Sequence, residues 1–176
     1  VFGPGVHITD NPLLVRGIAS RAHDGEGLQT YEMPLITDGI LQHWLLDLAS
    51  SRQLGCTSNA HAGHSLATPP SPSASNIEVV AGTMTMDQMI AKEQNALLVT
   101  ELIGMGVNGV TGDYSRGASG FMIKDGEIAE PVSEMTIAGN LKDMFKALHT
   151  TTDRDGRGSI AIGAAHVGEL TIAGQA

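Results

Sequence analysis

Two Asp-Gly dipeptides, each set between apolar runs, constrain the fold of this chain more than any other local feature. They are Asp38-Gly39 and Asp125-Gly126. Both residues of such a dipeptide tolerate positive φ, which the tight turns of β-hairpins need. The sequence therefore predicts two hairpins. Pro34 and Pro131 each lie in one arm of these hairpins and have no N–H to donate to a neighbouring strand. We therefore expect those arms to lie at sheet edges or bulges.

Three short helices are predicted from end signals and apolar spacing. The first helix is expected at 48–54, with Gly55 as its C-terminal cap. The second is expected at 86–94, with Thr85 and Gln88 as a capping box. The third is expected at 141–148, with Asn140 as its N-terminal cap. The chain contains 22 glycines and only 3% aromatic residues, so we expect strands that pack closely over small side chains. The predicted fold class is strand-dominated α+β, as an antiparallel β-barrel or a sandwich-like domain with about three short helices.

Residues 58–76 are predicted to form an irregular loop rich in Pro, Ser and His. The run from Thr68 to Ser73 contains three prolines and can continue neither a helix nor a central strand. A long irregular segment within one domain is usually functional or disordered. Residues 134–139 also recur, with one conservative change, as 169–174. This repeat arises either from chance and β-propensity or from two equivalent strands of a duplicated unit.

The charge and cysteine content exclude several classes of protein. The chain has 176 residues, 10 Lys and Arg against 19 Asp and Glu, and a formal net charge of −9. An acidic surface argues against direct nucleic-acid binding and against an anionic membrane as the main partner. A lone Cys56 excludes an internal disulfide framework. No apolar run is long enough for a bilayer span. Because the first residue is Val1 and no signal peptide is visible, we expect the natural chain to start further upstream.

Two short motifs resemble those of known enzymes but lack the required context. Residues 104–109 match the G-x-G-x-x-G spacing, yet the residues that follow carry no helical period, so a dinucleotide site is disfavoured. Residues 63–67 resemble a hydrolase nucleophile elbow around Ser65, but the prolines that follow exclude the helix that this elbow needs. His61 and His64 form a weak alternative metal site, because zinc normally takes three or four ligands.

The densest polar cluster lies between glycines at residues 112–120. Asp113, Tyr114, Ser115 and Arg116 could line a cleft, with Arg116 contacting a carboxylate and Asp113 an amine. The alternative from the residues alone is an internally hydrogen-bonded turn that leads into the second hairpin.

Several stretches of the chain together resemble the TldD/PmbA family, also called modulators of DNA gyrase. The segments that carry the resemblance are 24–27, 36–39, 52–55, 68–76, 98–108, 111–120 and 136–145. The match is to the C-terminal region and is closer to the PmbA (TldE) branch. The resemblance implies that residues 1–176 form the β-rich C-terminal domain of a longer cytoplasmic protein.

The resemblance also implies a proteolytic function shared between two subunits. A TldD-type subunit carries zinc on an N-terminal histidine helix, and a PmbA-type subunit pairs with it to cleave unfolded or leader peptides. We therefore expect a dimer with a TldD-type subunit or with a second copy, no cofactor in this chain, and zinc in the TldD-type partner. The TldD-type zinc-ligating Cys has no counterpart in residues 159–166, so no catalytic residue is assigned. Asp113, Tyr114, Ser115 and Arg116 are the predicted peptide-binding residues. The alternative is a regulatory module that acts on DNA gyrase or a toxin-antitoxin system.

Overall fold

The computed structural model describes residues 1–154 and 158–174. In chain order the elements are β1 (His7–Asp10), β2 (Met33–Thr37), β3 (Ile40–Leu41), α1 (Leu48–Leu54), β4 (Ala62–Gly63), β5 (Ser71–Pro72), β6 (Ile77–Val80), α2 (Met86–Ile90), β7 (Asn95–Ile103), β8 (Asp113–Lys124), β9 (Glu127–Asn140), α3 (Leu141–Lys146), β10 (His149–Thr150), β11 (Ile160–Ala161), β12 (Ala165–His166) and β13 (Thr171–Ala173). No helix among these residues is long and apolar enough to cross a membrane.

The chain divides into two compact units. The five-stranded unit comprises Pro4–Ala81 and Arg154–Gly163, and its main sheet has the order β11-β6-β1-β2-β3. The four-stranded unit comprises Val1–Gly3, Gly82–Asp153 and the residues from Ala164 onward, and its main sheet has the order β13-β9-β8-β7. All pairs in these two sheets are antiparallel except β6 with β11, which is parallel.

Each unit has its own apolar core. In the five-stranded unit the buried apolar side chains are Val6, Met33, Ile36, Leu46, Ala60, Ala62, Val79 and Ala81. In the four-stranded unit they are Ala118, Ile123, Val132, Met135 and Ile137. The strand-dominated α+β class with three helices is thus confirmed. The barrel expectation is wrong for the described residues, because each main sheet ends in two edge strands and does not close on itself. The sandwich-like alternative stays a prediction.

Both predicted hairpins are present. Asp38 and Gly39 connect β2 to β3 with φ of 51° and 74°, and Asp125 and Gly126 connect β8 to β9 with φ of 51° and 80°. Two successive positive φ values identify the turn type whose twist matches that of the flanking strands. The local sequence was therefore sufficient to determine both connections.

The two prolines lie at irregular positions in the ladders, as expected. Pro34 pairs with Thr9 next to a register shift between β1 and β2. Pro131 pairs with Phe121, where the β8–β9 register also shifts. On its other side β9 is joined by β13 only at residues 136–138, so no ladder partner is lost at Pro131. A residue without an N–H is tolerated at such positions.

The helix caps are confirmed, whereas two helices are shorter than predicted. Gly55 ends α1 with φ 66°, Thr85 and Gln88 form the capping box of α2, and the Asn140 side chain accepts from the N–H of Lys142 at the start of α3. The second and third helices end at Ile90 and Lys146 instead of 94 and 148. Neither helix contains a fully buried residue, so little apolar burial is available to extend them.

The internal repeat forms two adjacent strands. Residues 136–138 of β9 pair with β13, and Ile137 lies opposite Ile172 at the centre of the ladder. These two isoleucines occupy the same position of the repeat, so the two copies pair about a local twofold axis. Their surroundings differ, since Ile137 is buried in an inner strand and Ile172 is exposed on an edge strand, and the duplicated unit stays a prediction.

A buried polar cluster holds both ends of the segment 58–76 in the five-stranded unit. The Oδ2 atom of Asp10, at the end of β1, lies 2.9 Å from the Nε2 atom of His61. Its carboxylate also accepts from the Ser75 N–H at 3.0 and 3.1 Å and from the Ser75 hydroxyl. The Nδ1 of His61 lies 2.7 Å from the carbonyl oxygen of Asn59. Both ring nitrogens of His61 thus lie close to oxygen atoms, Nε2 to the Asp10 carboxylate and Nδ1 to the Asn59 carbonyl.

The Asp10 and His61 side chains of this cluster are both buried. Asp10 is 0% exposed and His61 is 2% exposed. Burial alone would raise the pKa of Asp10, but the hydrogen bonds from His61 and Ser75 outweigh it and hold the pKa below its usual value. The segment predicted to be irregular is therefore fixed at both ends, and it contains the short β4–β5 ladder.

We predict that Asp10→Asn lowers the free energy of unfolding by about 3 kcal/mol at pH 7, since it weakens the hydrogen bonds that the buried carboxylate accepts from His61 and Ser75. The lowered folded-state pKa of Asp10 stabilises the native protein above the ordinary pKa value of about 3.9, and this stabilisation is lost as the pH falls through the folded-state pKa. Denaturant unfolding of both proteins from pH 7 to pH 2 should show the difference shrinking at acidic pH. Asp125→Asn, in an exposed turn, is the matched control. A difference that does not depend on pH would contradict a lowered pKa of Asp10.

We predict that Gly120→Ala lowers the free energy of unfolding by at least about 2 kcal/mol, because overpacking in a tight ladder forces the backbone to move. A Cβ at Gly120 would meet the carbonyl oxygen of Leu98 on β7, beside a bulge at Thr100. Gly109→Ala is the control, since a Cβ there meets no atom within 4 Å. Equal stability of the two variants in denaturant unfolding would show that the close approach is absent.

Candidate functional site

The four predicted peptide-binding residues follow one another at the start of β8. Asp113 to Ala118 pair without interruption with Asn140 to Met135 of β9. Successive side chains of a strand point to opposite faces of the sheet. Asp113 and Ser115 therefore share one face, whereas Tyr114 and Arg116 share the other. The structure brings these residues together as two pairs.

The face with Asp113 and Ser115 is the more exposed one at this end of the sheet. Ser115 lies opposite Ala138, which in turn lies opposite Thr171 of β13. Asp113 accepts from the Thr111 hydroxyl at 2.6 Å through Oδ2 and from the Asn140 amide at 3.4 Å through Oδ1. The exposed Ser115 side chain thus belongs to a row of small side chains across three strands.

On the opposite face, Arg116 links two strands. Its Nη2 donates to the carbonyl oxygen of Leu102 on β7 at 3.3 Å. Arg116 is half-buried and lies opposite the buried Ile137 of β9. The guanidinium therefore supports the carboxyl end of β7, and the neighbouring Tyr114 forms an isolated bridge with Val107.

The glycine-rich segment 104–109 is a loop that follows β7 and hydrogen bonds to the start of β8. The Gly106 carbonyl oxygen accepts from the Ser115 N–H at 2.7 Å, and the Asn108 N–H donates to the Asp113 carbonyl oxygen at 2.8 Å. A Cβ at Gly106 would meet the Ser115 carbonyl oxygen, so the spacing of glycines serves close backbone approach. The segment leads through a turn into β8 rather than into a helix, which a dinucleotide site would need.

The four-stranded unit contains a cavity of about 250 Å³. It is bounded by the end of β9, helix α3 and the segment before β13. Its apolar lining includes Met144, Ala147, Val167 and Leu170, and its carboxylates are those of Asp143 and Glu169. Ala138 and Thr171, which lie in the same cross-strand row as Ser115, also line it. These lining residues were not predicted from the sequence, although the repeat at 134–139 and 169–174 was a signal that two of the lining strands are adjacent.

The weak alternative metal site is not formed. His61 contacts Asp10 and Asn59, whereas His64, which directly follows β4, is exposed. Ser65, in the same exposed loop, hydrogen bonds to the Thr68 hydroxyl at 2.8 Å rather than to a base. Cys56 is exposed.

Two further histidines, His149 and His166, lie next to each other in the four-stranded unit. His149 of β10 lies opposite His166 of β12, and the Nε2 of His166 is 3.6 Å from a carboxylate oxygen of Glu93. Within residues 1–154 and 158–174 no group of three His, Cys, Asp or Glu side chains could hold a metal ion. The donor set of these residues therefore does not fit a catalytic zinc.

Comparison with known proteins places these features in a family. A family model described as the PmbA/TldA metallopeptidase C-terminal domain matches residues 1–174. The metalloprotease PmbA of Escherichia coli O157:H7 is 43% identical over 169 residues, which are 96% of this chain and 36% of that protein. The PmbA homologue of Haemophilus influenzae is 39% identical over 95% of this chain and 36% of its own length. The chain thus spans about a third of the length of these curated relatives.

A solved structure gives the same result for the fold. A Bacteroides thetaiotaomicron protein, whose name links it to modulation of DNA gyrase, superposes with a TM-score of 0.86 at 27% identity. The superposition covers 99% of this chain and 38% of that protein. The chain therefore belongs to the PmbA/TldA metallopeptidase family and corresponds to its C-terminal domain.

Proposed function

We propose that this chain is the C-terminal domain of a PmbA-type subunit and that it holds unfolded or leader peptides for cleavage by a zinc-bearing partner. Residues 1–176 would be one part of a longer protein, since the curated relatives are about three times as long. The observation that carries the proposal is an open four-stranded sheet, with exposed residues on both edge strands, in a domain whose relatives are named metalloproteases.

Open edges suit the backbone of an extended peptide. Strand β7 has a partner on one side only, β8, and its residues 100–103 are exposed. Strand β13 pairs with β9 alone and is exposed throughout. An added strand takes its affinity from main-chain hydrogen bonds and therefore accepts many sequences. Such tolerance is what a protein that handles unfolded chains requires.

The chemistry of peptide cleavage would belong to the partner. The described residues offer no fitting zinc ligands, and the only imidazole–carboxylate contact below 3 Å among them, His61 with Asp10, is buried. A TldD-type subunit would supply the zinc, with the activated water that a zinc ion provides. This chain would bind and orient the peptide as half of a cytoplasmic dimer, with a TldD-type subunit or a second copy as the other half.

The predicted wall consists of Asp113, Tyr114, Ser115 and Arg116. Asp113 and Ser115 share a face with Ala138 and Thr171, two residues that line the cavity, and on that face they would meet the side chains of a bound peptide. Arg116 would act through β7, because its guanidinium holds the Leu102 carbonyl. Tyr114 would help to position the loop 104–111, because its backbone forms an isolated β-bridge with Val107 of that loop. Exposed apolar side chains on that loop, which would add contact area, are Met105, Val107 and Val110.

We predict that Arg116→Ala in the full-length protein lowers peptide cleavage with the zinc-bearing partner about fivefold, the effect of losing one charge-assisted hydrogen bond that positions an edge strand. Lys142→Ala, which removes an exposed cation on α3, should leave cleavage unchanged. Initial rates on an unfolded peptide are the measurement. Unchanged cleavage by the Arg116 variant would remove this residue from the peptide site.

A second candidate function is a regulatory module that acts on DNA gyrase or on a toxin-antitoxin system. It is favoured by the name of the Bacteroides relative. The formal charge of −9 is unfavourable for contact with DNA itself, so any such action would be through protein contacts.

We predict that the protein does not shift duplex DNA in a mobility assay at 20 mM salt, where charge-driven binding is strongest. The physical reason is the excess of carboxylates, which repel phosphates. A shift that weakens steeply with added salt would contradict this and would support the regulatory alternative. A strongly basic DNA-binding domain run in parallel confirms that the conditions detect binding.

A further inference from the structure

We propose that the cavity beside β13 binds a lysine or arginine side chain of an extended peptide that adds to the β13 edge. This inference rests on the proposed peptide-binding function and names the substrate class for one subsite of it. The cavity volume of about 250 Å³ lies below the range usual for small-molecule and cofactor pockets. It is therefore of a size for one long side chain rather than for a cofactor.

The β13 edge and the cavity are adjacent. Thr171 of β13 lies opposite Ala138 of β9, and both residues line the cavity. Directly paired residues of neighbouring strands point to the same face. In a peptide strand laid along β13, the residue opposite Thr171 would thus lie next to two residues of the cavity lining. A subsite next to a free edge is how strand-addition sites acquire specificity.

The lining matches the two parts of a basic side chain. Met144 and Leu170 offer apolar surface along which an aliphatic stem can lie. Glu169 carries a carboxylate that has no hydrogen bond or ion pair with any other described residue, and it is exposed. Lysine and arginine bury the stem and keep the charged head near water or a carboxylate.

The surrounding charges favour a cation over a neutral or acidic group. Asp143 is the second carboxylate of the lining, and its nearest cation, Lys146, lies at 3.9 Å with both side chains strongly exposed. Such an exposed pair is weak and leaves Asp143 available to a ligand. The chain as a whole carries a charge of −9, which attracts basic peptides over a longer range.

Fluorescence anisotropy on the full-length protein tests this inference with three peptides. They are extended Ser/Thr/Val dodecamers that differ at one central residue, which is lysine, norleucine or glutamate. Norleucine has a similar stem without the charge, so it isolates the carboxylate contribution. We expect the lysine peptide to bind about fivefold more tightly than the norleucine peptide, as two exposed charge contacts of at most about 0.5 kcal/mol each allow. This preference should fall with added salt.

Three variants separate the subsite from general charge effects. The double variant Asp143→Asn with Glu169→Gln should bind the lysine and norleucine peptides equally. Thr171→Phe, at an exposed strand position that tolerates aromatic residues, should fill the cavity and weaken both peptides. Glu127→Gln, which removes an exposed carboxylate in the hairpin of the same unit, should keep the lysine preference.

The outcomes distinguish this inference from the proposed function. If all three peptides bind equally well to the unmodified protein, the subsite is overturned and the peptide-binding function stands. If the lysine preference survives in the double variant, the cation binds elsewhere and the subsite is also overturned. If no peptide binds, the proposed function itself fails.

Discussion

The pairing of β8 with β9 is the interaction on which the rest of the four-stranded unit depends. It is the longest ladder in the chain and begins at the Asp125-Gly126 turn, where two positive φ values fix which residues face each other. Because side chains alternate along a strand, a slip by one residue would exchange the two faces of β8. The same register brings Ser115, Ala138 and Thr171 into one row next to the cavity.

Positioning by register would allow the domain to take part in the proposed peptide cleavage without catalytic groups among its described residues. These residues contain no group that fits a zinc ion, and their closest imidazole–carboxylate pair is buried in the other unit. The four-stranded unit has open edges on both outer strands and a cavity beside one of them. Such features suit the backbone of an extended chain, in agreement with the proposal of a subunit that holds peptides for chemistry performed elsewhere.

The parts of the fold that the sequence predicted correctly are those set by neighbouring residues. The Asp-Gly turns, the Gly55 end of α1 and the Thr85 capping box each depend on contacts within four residues. The parts that were missed depend on distant ones. Asp10 and Ser75 are 65 positions apart, and no local pattern marks Asp10 as the partner of His61. The open edges of both sheets, in place of a barrel, are likewise a property of the whole strand order.

The candidate site shows the same division. The polar cluster 112–120 was recognisable from the sequence, but the separation of its polar side chains into two faces needed the strand register. The cavity draws its lining from three separated segments, so only the repeated motif at 134–139 and 169–174 pointed to any part of it.

Hydrogen exchange of the full-length protein with and without a saturating unfolded peptide tests the central claim most directly. An added strand covers edge N–H groups, which then exchange more slowly. The account predicts slower exchange within residues 169–173 or 100–103 on peptide binding, and little change at 58–76. Peptide binding with protection confined to residues outside these two edges would contradict it.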